Sequence, residues 1–471
     1  METIDKTKEL ETQSIRKLLW IYAVPAVISQ IIASVYNICD RVFLGQYVGA
    51  LAIAGLSITL PIMNIIHAFG ALVGAGSSAR MSIVLGRKDN HWAEKILGNS
   101  MLLTFFFGFL FVSAGYLFLD NILMMFGASE ETIAYARDYM RIVLPGMFLT
   151  TLSLNLTNLI RATGYPTKSM LIMVFGAVMN IVLDAIFICV FGWGIVGAAW
   201  ATTISMALSS VFAVWHFVQK SSFIRFKKHA WAPKLYIFRN ILAIGISPFS
   251  MNIAASLVVA LLNRQLIRFG GDLAVGTYGI VNTFASLLVM FVLGVCQGMQ
   301  PIAGYNYGAG HTHRLKSVYR LTLVVNVLFC TLGILLTCFF PRLLLHAFTT
   351  DEELICMGVP AMRFLTVMFP VIGYTITNSQ FFQSIDKPWI AIVTSLSRQV
   401  LFLIPMIYIV PFFFERWSMD GLTGVWVACT ICDVLGAVLA FVLYQTQRKI
   451  FRPGYVPPAR KPKEHGPDDK K

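Results

Sequence analysis

Charged residues are scarce in this chain. Of its 471 residues only 13% are Asp, Glu, Lys or Arg, whereas 57% are hydrophobic. So little charge beside so much apolar side chain excludes a water-soluble domain and is typical of a protein that crosses a membrane many times. A helix spans the bilayer core with about 20 apolar residues. Twelve stretches reach this length and predict an all-α fold with twelve transmembrane helices, near residues 17–40, 51–79, 94–118, 136–160, 168–192, 195–219, 241–268, 274–300, 315–341, 357–382, 388–413 and 421–447.

Cysteine pairs and enzyme motifs are also missing. The eight cysteines are scattered, nearly all within the apolar stretches, with no CxxC spacing and no His/Cys ligand pattern. We interpret them as packing residues. The sequence contains no HExxH motif, no GxGD-type aspartate pair, no nucleophile elbow and no phosphate-binding loop. We therefore expect neither an enzyme nor a bound cofactor, and a membrane-embedded enzyme is only a remote alternative.

Acidic residues are outnumbered by basic ones, 23 to 37, and the net charge is +14. Most basic residues fall in the tails, the middle linker and alternate loops, and this positive-inside distribution predicts that both termini face the cytoplasm. Basic charge placed there faces anionic lipid headgroups, so we expect the lipid bilayer, and no nucleic acid, as its partner. The polar N-terminal residues 1–16 do not have the pattern of a cleavable signal sequence.

The two halves of the sequence repeat each other. Each half contains six helices and therefore enters the membrane from the same side, which predicts two lobes around an axis along the membrane normal, with a substrate path between them. Beyond Pro388 the offset grows to about 227, as Gly194 then matches Gly421. Before that point the offset is 222 or 223 residues, and it superimposes Pro25 on Pro248, Asp40 on Asn263, Gly76 on Gly298, Gly86 on Gly308, Arg141 on Arg363 and Pro166 on Pro388.

The stretch between the halves, KSSFIRFKKHAWAPKLYIFRN, is basic and aromatic, as in an amphipathic linker on a membrane surface. The alternative to transport is that the repeat reflects helix-pair packing alone. The predicted organisation is an N-tail at 1–16, an N-lobe at 17–219, an amphipathic linker at 220–240, a C-lobe at 241–447 and a basic C-tail at 448–471.

Two acidic residues interrupt apolar helices of the first half. Asp40 ends the first stretch, and Asp184 lies in the fifth, four residues after Asn180 and so on the same helical face. An ionised group in hydrocarbon has to face a partner or a cavity. We predict that both carboxylates, Asn180 and Thr202 of the sixth helix form one pocket that either holds a small hard cation or shares a proton. The alternative is that Asp40 pairs with Arg41 and Asp184 stabilises a helix interface.

The second half lacks these acids. Asn263 replaces Asp40, and the fifth helix of this half carries Arg398 and Gln399. We therefore assign ion coupling to the first half and interpret Arg398 as a structural or substrate-facing cation, with a hypothetical partner in Asp433. The substrate path is expected along the glycine-rich second and eighth helices. The 20 methionines of the chain suit binding of apolar or cationic molecules, and the alternative is that they face lipid. The candidate path residues are Tyr36, Asn37, Asn155 and Arg398.

Several motifs of the chain resemble those of the multidrug and toxic compound extrusion (MATE) family. They are VPAVISQ with DRVFLG downstream, NLIRATGYPTKSM, and the most specific one, QGMQPIAGYNYGAG. SLSRQ and the placement of the acids are similar to the bacterial MepA-like and DinF-like branch. The resemblance covers both halves and implies a monomeric transporter of the bacterial inner membrane. It also implies export of drugs or toxic organic compounds by alternating access of two lobes, driven by H⁺ or Na⁺.

The same resemblance implies which residues bind the coupling ion. In that branch an Asp of the first helix, an Asn and an Asp of the fifth and a Thr of the sixth form the site, and they match Asp40, Asn180, Asp184 and Thr202. These four would be the metal ligands if the ion is Na⁺. Other branches carry an acid in the seventh helix, and this chain has none there. A flippase for lipid-linked or polar precursors, which would need a basic central cavity, is the alternative function.

Overall fold

The computed structural model describes residues 7–48, 50–129, 132–220, 222–455 and 457, and within them the chain forms helices and turns without any strand. The predicted C-tail at 448–471 lies mostly outside the described residues. The helices are α1 (Lys8–Thr12), α2 (Ile15–Tyr47), α3 (Ala50–Gly86), α4 (Asn90–Met125), α5 (Ile133–Ala162), α6 (Pro166–Asp184), α7 (Gly194–Val218), α8 (Leu235–Gly308), α9 (Thr312–Phe339), α10 (Pro341–His346), α11 (Glu352–Thr366), α12 (Phe369–Ser384), α13 (Pro388–Leu396), α14 (Ile404–Arg416) and α15 (Gly421–Thr446).

The helices supply twelve membrane spans. Ten helical segments of the described chain are long and apolar enough to cross a membrane, and α11 with α12 form another span that bends by 44° at its break. The 74 residues of α8 would extend about 110 Å as one rod, against a bilayer core of about 30 Å. Gly271 breaks α8 with φ 63° and ψ −161°, backbone angles that glycine alone adopts readily. The helix therefore contains two spans, and the predicted count of twelve is confirmed.

Two spans change their winding part of the way along. A π-helical turn at Ala185–Val190 continues α6, and another at Ser397–Leu403 joins α13 to α14. These are the fifth and eleventh spans, so the repeat places a π turn in the same helix of each half, although at different heights. Such turns often mark functional positions in helices because they widen the backbone and redirect side chains.

The halves join at one end of the bundle and separate at the other. The largest apolar core includes Leu18, Met81 and Leu97 of the first half together with Met299 and Phe381 of the second. At the opposite end each half has a core of its own, one around Tyr139, Leu144 and Ile195 and one around Leu262, Met362 and Trp426. The described helices thus share one apolar core at one end of the bundle and form a separate core in each half at the other.

Polar contacts also cross the shared end. Arg80 of α3 contacts Asp386, which follows α12, at 3.3 Å, and both side chains are buried. Arg161 of α5 donates to Gln297 of α8 at 2.9 Å. Because a buried pair with one partner missing leaves an uncompensated charge, these contacts stabilise the lobes in one relative position at this end.

The short helix α1 also ties the halves together. Leu10 is completely buried, and Arg314 of α9 donates to its carbonyl oxygen at 2.9 Å and to that of Gln13 at 2.7 Å. Glu11 pairs with Lys88 of the first half at 3.4 Å. The segment predicted as a polar tail therefore contains a docked helix that contacts both halves.

Two glycines allow the backbones of the lobes to touch. A Cβ atom at Gly86 would overlap the carbonyl of Tyr305, and one at Gly308 would overlap the carbonyl of Ile83. These glycines are also equivalent in the sequence repeat, 222 residues apart. The contact is thus symmetric, with each half supplying the small residue against which the other half packs.

Valine at Gly86 or Gly308 is expected to force the two lobes apart at this end. The side chain has no space, so we expect a loss of about 1 to 3 kcal/mol, the usual cost of overpacking, measured as a lower midpoint of thermal unfolding of the purified protein. Gly279→Val is the matched control, because a Cβ atom there meets nothing within 4 Å. Equal midpoints for all three variants would contradict the close backbone contact.

Candidate functional site

A cavity of about 160 Å³ lies inside the first half, among α2, α3, α5, α6 and α7. Its walls are hydroxyl groups, small side chains, two methionines and one histidine, so they are mixed in polarity. Such a surface can accept amphipathic molecules of different shapes. The cavity is lined by Ser29, Ala33, Tyr36, His67, Thr150, Ser153, Leu154, Thr157, Met173, Gly176, Ala177, Asn180, Thr202, Ser205, Met206 and Ser209.

One wall of this cavity leads to the predicted ion site. Asn180 of α6 donates through Nδ2 to Oγ1 of Thr202 on α7 at 3.3 Å, and both side chains are buried. Asp184 follows one turn later, fully buried, and no described protein group forms a hydrogen bond with either of its carboxylate oxygens. Asp40 of α2 is half-buried, and its charge interacts with that of Asp184. The structure thus brings all four predicted residues together from three helices.

Tyr139 of α5 completes this group. Its side chain is 1% exposed, it forms a hydrogen bond with the Thr202 side chain, and its phenol interacts electrostatically with Asp40, Asp184 and Tyr36. The sequence contained no signal for this role, because a tyrosine in an apolar helix is usually a core residue. The phenol nevertheless contributes the one hydroxyl from α5 to a cluster otherwise built by α2, α6 and α7.

The cluster offers oxygen atoms from several side chains, and among the described groups none donates a hydrogen bond to the carboxylate of Asp184. Two carboxylates, an amide oxygen and two hydroxyls suit a small hard cation, which prefers oxygen ligands. The same crowding of carboxylates suits a shared proton, because two negative charges at close range oppose each other. Within the described residues, no three His, Cys, Asp or Glu side chains come together as a metal site.

The candidate path residues lie in different places. Tyr36 lines the cavity, whereas the side chain of Asn37 lies outside the described part of the structure, as does that of Arg41, the alternative partner of Asp40. Asn155 is completely buried in a hydrogen-bonded network of three helices and is not among the cavity-lining residues. Its contacts are Ser77 at 2.8 Å, Ser100 at 3.2 Å and Thr104 at 3.1 Å.

The fourth candidate, Arg398, lies in the second half. It donates through Nη1 to Oδ1 of Asp433 on α15 at 2.9 Å, so the hypothetical partner is its partner in the structure. The pair neutralises both charges within the span. A basic cavity, which a flippase for anionic precursors would need, is therefore not built around this arginine.

Twelve helices in two repeated lobes, with buried carboxylates beside a cavity in one of them, define the class as a multi-pass membrane transporter. The profile of the MatE family matches residues 25–186 and 248–409, one match in each half. The chain belongs to this family, and the resemblance inferred from its motifs is confirmed. The two matches also fall on the two halves of the internal repeat.

Relatives with assigned names are similar over almost their whole length. The chain is 26% identical over 444 residues to the multidrug export protein MepA of Staphylococcus haemolyticus, covering 93% of this chain and 96% of that one. It is 26% identical over 438 residues to MepA of Staphylococcus aureus, covering 92% and 94%.

Solved structures share the fold. A MOP superfamily transporter from Pyrococcus furiosus, described as having a binding pocket of reverse polarity, superimposes with a TM-score of 0.88 at 24% identity, covering 96% of this chain and 99% of that chain. An outward-facing multidrug resistance MATE family transporter of the MOP superfamily gives a TM-score of 0.88 at 23% identity with the same coverage.

Substitution of Asn155 separates a structural role from a role in the substrate path. Asn155→Ala removes three buried hydrogen bonds, each worth about 0.5 to 1.5 kcal/mol, so we expect the free energy of unfolding to fall by about 2 to 4 kcal/mol. Asn158→Ala is the control, because Nδ2 of Asn158 donates to the carbonyl of Leu154 in its own helix. Transport per folded molecule should stay at the wild-type rate; a selective loss for some substrates at unchanged stability would place Asn155 in the path.

Proposed function

We propose that the protein is a multidrug efflux antiporter that exports amphipathic or cationic small molecules in exchange for H⁺ or Na⁺. The observation that carries this proposal is the pair formed by the half-buried Asp40 and the buried Asp184 beside the cavity. Asn180 and Thr202 belong both to the cavity lining and to the carboxylate cluster. A cation entering the cluster therefore changes the charge and packing of the wall that a substrate would contact.

The energy of such an exchange is sufficient for concentration against a gradient. Each charge moving inward down the membrane potential contributes about 2.3 kcal/mol per 100 mV, and each tenfold substrate gradient requires about 1.4 kcal/mol. One ion per cycle thus supports a gradient of tenfold or more for a substrate without net charge. For a monovalent cation exchanged one for one, no net charge moves, and the concentration gradient of the ion supplies the energy. The relatives named as multidrug export proteins support small organic molecules as the exported class.

The two-lobed shape supports an alternating-access cycle. We propose that the shared core, which includes Leu18 and Met299, faces the cytoplasm together with both termini. The lobes would then be closed towards the cytoplasm and open towards the outside of a bacterial inner membrane. Loading of the carboxylate cluster from outside would favour drug release there, and rocking of the lobes would return the site inward. We propose that one chain carries out the whole cycle as a monomer.

Removal of either carboxylate is expected to uncouple export. Asp40→Asn and Asp184→Asn should each lower gradient-driven drug transport in reconstituted vesicles at least tenfold, because the cluster loses one of the two carboxylates that together attract the cation or proton. The vesicles are tested first with an imposed pH gradient and then with an imposed sodium gradient, and the gradient that drives transport identifies the ion.

Asp120→Asn serves as the control for this experiment. Asp120 is also an acid at a helix of the first half, but its side chain is 49% exposed and pairs with Arg137 at 2.7 Å. We expect it to transport at the wild-type rate. Wild-type transport in both Asp40→Asn and Asp184→Asn would remove the coupling role from the cluster.

A further inference from the structure

Arg398 and Asp433 form an ion pair inside the described membrane spans. The proposed coupling site does not use this pair. Arg398 belongs to the π turn Ser397–Leu403, and Asp433 belongs to α15. The Asp433 side chain is 9% exposed, and that of Arg398 is 23% exposed. Burial of two charges is costly even when they are paired, and intramembrane charges usually face a bundle interior or a functional cavity. The question is what this pair faces.

The internal repeat answers that question. The change of offset falls before the twelfth helix, so Arg398 of the eleventh helix keeps the offset of 222 set by Pro388 and corresponds to Gly176. Asp433 lies in the twelfth helix and corresponds to Met206 at the offset of 227. Gly176 and Met206 both line the cavity of the first half. The ion pair therefore occupies, in the second half, the position of the cavity wall in the first.

A contact between neighbouring helices confirms this correspondence independently. In the first half, a Cβ atom at Gly176 would meet the side chain of Ser209; in the second half, one at Gly436 would meet the side chain of Arg398. Gly436 is the repeat equivalent of Ser209 at the offset of 227. The same two positions thus touch in both halves, with the small and the large residue exchanged, and the glycine leaves the room that the arginine side chain uses.

Polar groups beside the pair have hydrogen-bonding capacity that the protein does not use. Gln399, the equivalent of the cavity residue Ala177, is 8% exposed, and no described group bonds its Oε1 atom. Thr394, one turn before Arg398, is completely buried, and its Oγ1 atom is also unbonded among the described groups. Buried polar atoms normally have partners, and these two oxygens can accept a hydrogen bond from a molecule bound beside the pair.

The charges of the pair define the ligand. A cation that takes Asp433 leaves Arg398 buried and unpaired, and an anion that takes Arg398 leaves Asp433 in the same position; both outcomes are costly. A molecule that carries both a carboxylate and a cationic group replaces the two halves of the pair at once and keeps the site neutral. Arg398 suits the carboxylate because its planar guanidinium can bind both oxygens.

We propose that Arg398 and Asp433 form a binding site for zwitterionic amphipathic molecules in the second lobe, with the ligand's carboxylate on Arg398 and its cationic group on Asp433. This inference rests on the proposed function and names a class of substrate for it. It also assigns a different binding role to each lobe. The first lobe binds cations at its acidic cluster, and the second selects molecules that carry both charges.

Three xanthene dyes of similar size test the inference on the purified full-length protein. Rhodamine 110 carries a carboxylate and a cationic ring system, its methyl ester rhodamine 123 carries only the cation, and fluorescein is an anion. Equilibrium binding is measured by fluorescence anisotropy. Arg398→Gln should weaken rhodamine 110 at least tenfold and leave rhodamine 123 as tight or tighter. Asp433→Asn should also weaken rhodamine 110, but it should tighten fluorescein, because Arg398 is then free to bind an anion.

A double exchange, Arg398→Asp with Asp433→Arg, keeps a buried ion pair and protects the test against simple misfolding. The double variant should bind rhodamine 110 with a dissociation constant within about threefold of that of the wild-type protein. The dye would be bound in the opposite orientation, because the two charges of the site have exchanged places. Parallel changes in all three dyes, or unchanged rhodamine 110 binding in Arg398→Gln, would make the pair purely structural and overturn the inference.

The antiporter and the zwitterion site are tested by different measurements, so either proposal can be wrong without the other. Rhodamine 123 export by the wild type, and its loss in Asp40→Asn and Asp184→Asn, tests the proposed antiporter. Binding of rhodamine 110 at the second lobe is measured without any gradient. Export of rhodamine 123 together with equal binding of all three dyes to wild type and variants would contradict the zwitterion site and leave the antiporter in place.

Discussion

The constraint on which this structure depends is that hydrocarbon does not tolerate an isolated charge. Asp184 is buried completely, and no described protein group donates a hydrogen bond to its carboxylate. Such a group is stable only with a cation, a proton or water beside it. A structural acid would have been given a donor by the fold, as Asp433 was given Arg398. The two aspartates thus differ in that Asp433 has a cationic partner in the protein, whereas Asp184 has no hydrogen-bond donor among the described groups.

The two lobes share one sequence repeat but place charged side chains differently inside the membrane. Their packing surfaces have stayed alike, as Gly86 and Gly308 show by supporting reciprocal backbone contacts. Their interiors have diverged: Asp40 corresponds to the uncharged Asn263, and Gly176 corresponds to Arg398. The surface that joins the lobes constrains both copies equally, because a change on one side has to fit the other. The interiors are free of that restriction and can take separate roles.

The sequence predicted the features that depend on residues close together along the chain. Span length and spacing predicted twelve helices, and helical periodicity placed Asn180 and Asp184 on one face. Contacts between distant segments were less accessible. Tyr139 could not be distinguished from a core tyrosine, because its role depends on the approach of α5 to α2, α6 and α7. The docking of α1 was not predicted, because Leu10 is the one residue of this polar helix that is buried. A single apolar residue does not create the periodic pattern by which an amphipathic helix is identified.

The first helix of each lobe shows how the shared framework leads to unequal function. Pro25 of α2 and Pro248 of α8 each lack the N–H group that would bond the preceding turn. In both helices a side chain four residues later donates to the proline carbonyl, Ser29 at 2.8 Å and Asn252 at 2.8 Å. The repeat has therefore kept a weakened point in the same place in each lobe.

Beyond this point the two helices differ in charge. Fifteen residues after Pro25 the helix carries Asp40, whereas Asn263 stands at the same distance after Pro248. A bend at a proline costs less than a bend in an unbroken helix, so a change of charge at Asp40 acts on a segment that can move. The second lobe has the same weak point in its first helix but carries no acid at the position equivalent to Asp40. The two halves have therefore kept the same proline in their first helix and differ in the charge that follows it, while reciprocal backbone contacts at Gly86 and Gly308 join them at the shared end.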